Sequence, residues 1–120
     1  MTTEEVLTPV EYARLAVEVA ADKHAEDIVL LDLRGVSDFT DYFVILTAES
    51  PRQMETLAED LEEALEAQHA RLHHREGTSQ GGWLLLDFGD LIIHLFGPEA
   101  REFYQLEQVW SQGSEVVRIH

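Results

Sequence analysis

Residues 83–96 constrain the fold most, because they form two apolar runs on either side of Gly89-Asp90. Glycine accepts positive φ and aspartate bonds its own backbone, so this pair predicts a tight antiparallel turn. A two-residue loop also fixes the register, with Phe88 facing Leu91. Side-chain alternation then gives one face six apolar residues, which we predict to be core: Leu84, Leu86, Phe88, Leu91, Ile93 and Leu95.

The opposite face of this hairpin is largely apolar but includes two polar groups: Trp83, Leu85, Asp87, Ile92, His94 and Phe96. Such a face needs a cover, yet its carboxylate and imidazole oppose complete burial. Most α/β domains carry helices on both sheet faces, which favours a helical cover here. The alternative is that the Trp83 end stays open as a binding surface, where an aromatic anchor contributes most.

Length and composition predict a single domain over residues 1–120. The hydrophobic fraction of 45% excludes a disordered chain. No apolar run approaches the roughly 20 residues of a membrane helix, and the first residues lack the features of a signal peptide. A cytoplasmic protein without membrane contact is expected. Cysteine is absent, so neither a disulfide nor a thiolate metal site is predicted.

The chain is strongly acidic, with 24 acidic and 8 basic residues and a net charge of −16. This charge repels nucleic acid and anionic lipid, so direct nucleic-acid binding is not expected. A macromolecular partner should therefore be basic. The acidity is equally compatible with two simpler roles, because acidic residues promote solubility and are typical of halophilic proteins.

Helical patterns precede and follow two predicted strands. A capping box at residues 8–11 predicts a helix to about Lys23, and a second one at 50–53 predicts a helix to about His69. The strands are residues 28–33 and 42–47. The inward stripes at helical spacing are Tyr12, Leu15, Ala16, Val19 and Ala20 in the first helix, and Met54, Leu57, Ala58, Leu61 and Leu65 in the second.

The remaining segments complete an α/β layer. Residues 71–76 are predicted as a short edge strand and 77–82 as a flexible glycine-rich loop. A helix from residue 97 is expected to dock Phe103, Leu106, Val109 and Trp110 inward, and residues 116–119 form either a loose tail or a further strand. A right-handed crossover from the second strand to the edge strand would make the sheet mixed. The predicted fold class is α/β, a mixed sheet with flanking helices.

Motifs for catalysis or metal binding are weak. Two-metal chemistry needs carboxylates within roughly 4 Å of paired metals, whereas Asp38, Asp41, Asp87 and Asp90 read more simply as turn residues. The glycine-rich loop lacks the Gly-Lys-Ser/Thr ending of a phosphate-binding loop. The histidines at 69, 73, 74 and 94 follow no familiar zinc spacing. No metal or cofactor is predicted, and the residues alone indicate an acidic binding module.

A set of segments along the chain forms a recognisable series: residues 25–35, residues 37–45, Arg52-Gln53, Arg75-Glu76-Gly77, residues 82–90, His94 and residues 103–110. The most specific elements are Thr-Asp-Tyr-Phe at 40–43 and Trp-x-Leu-x-Asp-x-Gly-Asp at 83–90. Together they resemble the signature of the ribosomal silencing factor family, also called the Iojap family. The resemblance covers about residues 8–110 and leaves 111–120 outside the shared part, which implies a domain core over 8–110 and a C-terminal tail over 111–120.

The resemblance implies a fold similar to nucleotidyltransferases without their catalytic Gly-Ser and Asp-x-Asp elements, which this chain also lacks. It therefore implies a protein that is not an enzyme and needs no cofactor. It also implies binding to a large ribosomal subunit protein of the L-fourteen type, where the small subunit joins. A factor bound there blocks joining sterically and represses translation, especially under nutrient limitation. Homodimers of the free protein are known in the family.

The contact residues expected on this basis are Trp83, Leu85 and Asp87 from the open hairpin face, joined by Asp41, Tyr42, Arg75 and Glu76. Three of these residues have alternatives to a contact role. Tyr42 can be a core residue, and Arg75 and Glu76 can pair with each other at a strand end. A competing function is a nucleotidyltransferase or metal-dependent phosphoryl-transfer enzyme that uses Asp41, Asp87 and Asp90. A third is a purely structural homodimer.

Overall fold

The computed structural model describes residues 6–120. It is a mixed six-stranded sheet with helices on both faces. In chain order the elements are α1 (Pro9–Asp22), β1 (Glu26–Asp32), β2 (Tyr42–Thr47), α2 (Pro51–Ala67), β3 (His74–Thr78), β4 (Trp83–Asp87), β5 (Leu91–Phe96), α3 (Pro98–Tyr104), α4 (Leu106–Val109) and β6 (Ser114–Ile119). The strand order is β3-β4-β5-β2-β1-β6. β2 and β5 pair parallel, and the other neighbours pair antiparallel. The predicted α/β class is confirmed.

The β4–β5 hairpin has the predicted register, with Trp83 opposite Phe96 and Leu85 opposite His94. The backbone N–H of Phe88 donates to the carbonyl oxygen of Leu91 at 2.9 Å, which closes the turn. All six residues of the predicted core face lie in or against the main hydrophobic core. The two-residue turn therefore determines which face of the sheet each side chain occupies.

α1 and α2 cover this first face of the sheet. The five residues of the predicted α2 stripe are all buried. In α1 the buried residues are Ala13, Ala16, Val17 and Ala20, so the prediction is confirmed for Ala16 and Ala20 only. Tyr12, Leu15 and Val19 are only partly buried. The predicted α1 stripe is therefore rotated, because α1 contacts both the sheet and α2 and places its small alanines at the closest approach.

The two predicted capping boxes differ. At α1 both arms form, since Thr8 Oγ1 accepts from the Glu11 N–H and the Glu11 carboxylate accepts from the Thr8 N–H. At α2 Ser50 Oγ accepts from the Gln53 N–H at 3.1 Å. The Gln53 side chain does not complete the box, because it bonds the Glu49 N–H and the carbonyl oxygens after α1. Gln53 thus connects α2 to α1.

The edge strand β3 begins at His74, three residues after the predicted start at residue 71. Gly77 and Thr78, predicted as loop, pair with Leu84 and Trp83. Gly77 has φ of +84°, so a glycine with positive φ occupies the strand itself. β3 runs in the same direction as β2, but β4 and β5 lie between them.

The helix predicted from residue 97 is divided in two. Gln105 takes the left-handed conformation, with φ of 44°, and separates α3 from α4. Leu106 and Trp110 pack inward as predicted. Phe103 and Val109 were predicted to dock but are 79% and 71% exposed. The break changes the helical phase, so one continuous stripe could not describe both halves.

The segment after α4 forms a strand. β6 pairs antiparallel with the edge of β1 that β2 does not occupy. Of the two alternatives for these residues, the further strand is confirmed, and the predicted loose tail is wrong. Within residues 6–120, no helix has the length and apolar character needed to cross a membrane.

Candidate protein interface

The sheet face turned away from α1 and α2, called the second face here, is covered by α3 and α4 over only part of its width. Its buried core consists of Val29, Leu31, Leu33, Phe43, Ile45, Ile92 and Phe96. Ala100, Leu106 and Trp110 pack against this core from outside the sheet. The expected helical cover is therefore present over β1, β2 and β5.

The β4 side of the second face is less covered. Trp83, Leu85 and Asp87 alternate outward from β4 and are each only half-buried. A shallow depression of about 390 Å³ lies beside Trp83 and Leu85 and is otherwise lined by residues 76–78 and Gly81. Each sequence-based alternative thus describes one half of this face: helices close one half, and the Trp83 end stays open.

Aromatic rings continue this surface onto α3. The Trp83 ring lies 4.6 Å from that of Tyr104, and Tyr104 lies 5.0 Å from Phe103, as centroid distances. Tyr104 is 45% exposed. We call Trp83, Leu85, Phe103 and Tyr104 the open patch. The last two were missed as surface residues, because no glycine or asparagine in the sequence marks the break at Gln105.

A buried histidine lies beneath the open patch. The indole Nε1–H of Trp83 donates to Nδ1 of His94 at 3.2 Å. The imidazole also meets the ring of Phe43 edge-to-face, with centroids 4.5 Å apart. Burial lowers the pKa of His94 to about 3, so the ring is neutral near neutral pH.

Two carboxylates border the open patch on the sheet side. Glu76 lies opposite Leu85 on β3, so both side chains are on the second face, and its Oε1 is 3.1 Å from Nε2 of His74. Asp87 is partly committed to the turn, because its Oδ1 accepts from the N–H of Gly89 at 2.7 Å. Glu76 is exposed and able to meet a cationic group.

Tyr42 and Arg75 are not brought together with Trp83. Tyr42 is buried in the core of the first face, which confirms the alternative that it is a core residue, and burial raises its pKa. Alternation along β2 gives the second-face position to Phe43 instead. Arg75 lies opposite Leu86 on the first face. It bonds Glu55 at 2.6 Å and Glu62 at 3.3 Å on α2, so the alternative that Arg75 pairs with Glu76 is wrong.

Asp41 lies at the other end of the sheet from the exposed rings of α3, where it connects loops through its backbone. Its N–H donates to the carbonyl oxygen of Asp90, and its own carbonyl accepts from Leu33. The carboxylate of Asp87 is engaged by its own turn. Across the described part of the chain, no group of three or more His, Cys, Asp or Glu side chains is arranged to hold a metal ion.

A cleft of about 680 Å³ lies where β2 and β5 end, between the starts of α2 and α3. Ligands of α/β sheets commonly bind outside the carboxyl ends of parallel strands. Glu49 and Glu99 line this cleft, and none of its described lining residues is basic. Such a lining repels the phosphates of a nucleotide.

Comparison with known proteins gives a consistent result. The family model described as "Ribosomal silencing factor during starvation" matches residues 6–120. The ribosomal silencing factor of Halalkalibacterium halodurans is 34% identical over 106 residues, covering 88% of this chain and 91% of that protein. The mouse protein named "Mitochondrial assembly of ribosomal large subunit protein 1" is 32% identical over 100 residues, covering 81% of this chain and 44% of that protein.

A solved structure shares the fold. The crystal structure of a protein from Chromobacterium violaceum superposes with a TM-score of 0.83 at 28% sequence identity, covering 92% of this chain and 94% of that one. The family match also reaches residue 120, so it includes β6. The expectation that residues 111–120 lie outside the shared part is therefore wrong.

Proposed function

The chain belongs to the ribosomal silencing factor family, and on that premise we propose that it binds the large ribosomal subunit and prevents subunit joining. The proposed target is a ribosomal protein of the L-fourteen type, on the surface where the small subunit joins. The result is lower translation, especially under nutrient limitation. The name of the mouse relative, which refers to assembly of the large subunit, supports a partner on that subunit.

The observation that carries this proposal is the open patch on a chain of net charge −16. Its rings and Leu85 supply apolar area next to the exposed carboxylate of Glu76. Aromatic anchors dominate binding energy in protein interfaces, and opposite charge speeds the encounter with a basic protein. A steric mechanism needs only such a docking surface, which agrees with relatives named as silencing factors rather than enzymes.

The proposed contacts are Trp83, Leu85, Phe103 and Tyr104, with Glu76 and Asp87 at the border. Asp41 and Arg75 lie away from this surface, and buried Tyr42 supports the sheet from its other side. The acidic surface favours contact with protein rather than ribosomal RNA. A homodimer of the free chain, a cytoplasmic location and the similarity of the fold to nucleotidyltransferases remain predictions.

Sedimentation with purified large ribosomal subunits tests the proposal. The wild-type chain should co-sediment, and binding should weaken as salt rises because part of the attraction is electrostatic. Trp83→Ala should reduce binding at least tenfold while circular dichroism shows a folded chain. Ile119→Ala is the matched control, because it removes a partly exposed apolar side chain at the far edge of the sheet.

Two outcomes would contradict the proposal. If the wild-type chain does not co-sediment, the large subunit is not the partner. If Trp83→Ala binds as wild type does, the open patch is not the contact surface. Calorimetry with nucleoside triphosphates and magnesium tests the competing enzyme function, for which heat of binding would be expected.

A further inference from the structure

The second face contains a polar group that the proposed contacts do not use. His94 is 4% exposed, and its Nε2 has no hydrogen-bond partner among the described residues. An unpaired buried polar atom destabilises a fold, and a phenylalanine or leucine at this position would avoid the penalty. The presence of an imidazole at this buried position therefore calls for a function at its other nitrogen.

That other nitrogen accepts the bond from Trp83. A neutral imidazole carries its proton on one nitrogen only, so acceptance at Nδ1 puts the proton on Nε2. The pKa of about 3 means that the ring does not become doubly protonated, and so does not lose its acceptor, under ordinary conditions. His94 is thus a permanent acceptor aimed at the indole.

The acceptor is also fixed in place. The imidazole lies edge-to-face with Phe43 and nearly parallel to Phe96, with an interplanar angle of 11° to the latter. Packing of this kind leaves a side chain few alternative rotamers. Trp83, by contrast, is only half-buried, and although its ring also contacts Phe96 and Tyr104, one side of it faces the uncovered part of the face. A hydrogen bond from the less constrained ring to the fixed one selects one indole orientation.

We propose that His94 is a positioning residue, which holds the Trp83 indole in the orientation that presents its exposed side, with Leu85 and Tyr104, to a protein partner. This inference rests on the proposed function for the identity of that partner surface. A side chain held in its bound orientation loses less entropy on association. The bond also gives the indole N–H a hydrogen-bond acceptor within the protein. Without it, a docked partner would remove water from this N–H and leave it unpaired, at a cost in binding free energy.

Three variants separate this role from simple packing. His94→Phe keeps a planar ring of similar size but removes the acceptor. His94→Asn restores an acceptor, because its Oδ1 occupies nearly the position of Nδ1. Replacement of Trp83 by benzothienylalanine exchanges the indole N–H for sulfur and leaves His94 unchanged, which provides a test if His94→Phe fails to fold.

Indole hydrogen exchange by nitrogen-15 NMR is the first measurement, with Trp110 as internal reference. In His94→Phe the Trp83 indole should exchange at least tenfold faster, while Trp110 is unchanged. Binding to purified large ribosomal subunits should fall about tenfold in His94→Phe and in the benzothienylalanine protein, and His94→Asn should regain most of it. In a Trp83→Phe background, His94→Phe should have no further effect on binding.

Contrary results are clear-cut. Unchanged Trp83 exchange in His94→Phe, or an equal loss of binding from His94→Phe in the Trp83→Phe background, would overturn the positioning role. Failure of His94→Asn to bind better than His94→Phe would do the same. If the wild-type chain does not bind large subunits, the proposed function fails, whereas the exchange measurement still decides whether His94 orients Trp83.

Discussion

A Cβ on Gly77 would lie 2.1 Å from the carbonyl oxygen of Trp83 on the neighbouring strand. Only glycine fits there, and its φ of +84° is also one that other residues rarely adopt. We expect Gly77→Ala to lower the free energy of unfolding by about 3 kcal/mol or more, through backbone strain together with overpacking. Urea denaturation measures this change, and large-subunit binding should fall because Trp83 is displaced.

Gly35→Ala is the control for this prediction. Gly35 has φ of +81°, but no atom lies within 4 Å of an added Cβ. It should therefore show only the conformational penalty, about 1–2 kcal/mol. Equal destabilisation by the two substitutions would mean that the contact with Trp83 has no role in the requirement for glycine.

Charge reversal at Glu76 tests the border of the open patch. Glu76→Lys should weaken binding to the large subunit several-fold and reduce its salt dependence, because a basic partner then meets a like charge. Glu63→Lys makes the same charge change on the exposed side of α2, which covers the first face rather than the face of the open patch, and should have a much smaller effect. Matched losses would indicate that net charge alone drives association.

Removal of the Arg75 guanidinium should leave binding intact. Arg75→Gln breaks the bonds to Glu55 and Glu62, which lie on the first face. These ion pairs are partly exposed, so the free energy of unfolding should fall by only about 1 kcal/mol or less. Sedimentation and urea denaturation measure the two effects. A large loss of binding without unfolding would restore Arg75 to the contact surface.

Arg101 holds the split helix on the sheet. Its guanidinium, 10% exposed, bonds Glu107 at 2.9 Å and Thr47 Oγ1 at 2.8 Å. Burial acts to raise the pKa of Glu107, but the bonds to Arg101 lower it below the ordinary value overall. Arg101→Met should therefore lower the free energy of unfolding by about 2–3 kcal/mol, since a partly buried carboxylate loses its two close hydrogen bonds and keeps only the Arg118 guanidinium at 3.9 Å.

Arg118→Met provides the comparison for Arg101. Its guanidinium is more exposed, pairs with Glu115 at 2.8 Å, and reaches Glu107 only at 3.9 Å, so it contributes far less than Arg101 to the Glu107 network. Thermal or urea unfolding should show a loss of at most about 1 kcal/mol. If the two substitutions lowered the free energy of unfolding equally, the greater burial of the Arg101 network would not matter for stability.

His94 makes stability depend on pH. Its pKa is about 3 in the folded chain, against about 6.5 when exposed. Between these values the unfolded chain binds a proton that the folded chain does not, so stability falls as pH falls. Relative to His94→Phe, the wild-type chain should lose up to about 1.4 kcal/mol of unfolding free energy per pH unit below pH 6.5. Urea denaturation of both proteins at several pH values measures this loss. A difference that stays constant from pH 7 to pH 5 would contradict the assigned burial.

The hairpin and the α2 stripe were predictable because each depends on local information. Gly89-Asp90 specifies a turn, the turn specifies a register, and the register places Trp83 and His94 on one face. The spacing from Met54 to Leu65 similarly allows only one inward side of a helix.

Other features depend on contacts that a pattern does not encode. The exposure of Phe103 follows from the left-handed backbone at Gln105, a residue type that rarely marks a helix end. The side on which Arg75 lies follows from where β3 begins, and a shift of one residue reverses it. The strand nature of residues 114–119 requires a free edge on β1, which appears only once the whole sheet is ordered.

The pairing of β1 with β6 also bears on how the protein is made. β1 leaves the synthesising ribosome well before β6, its antiparallel neighbour, because every element from β2 to α4 lies between them in the chain. During that interval one hydrogen-bonding edge of a largely apolar strand has no native mate, which is the condition under which nascent chains aggregate or recruit chaperones. The yield of this protein should thus be limited by events during translation, the process that it is proposed to restrain.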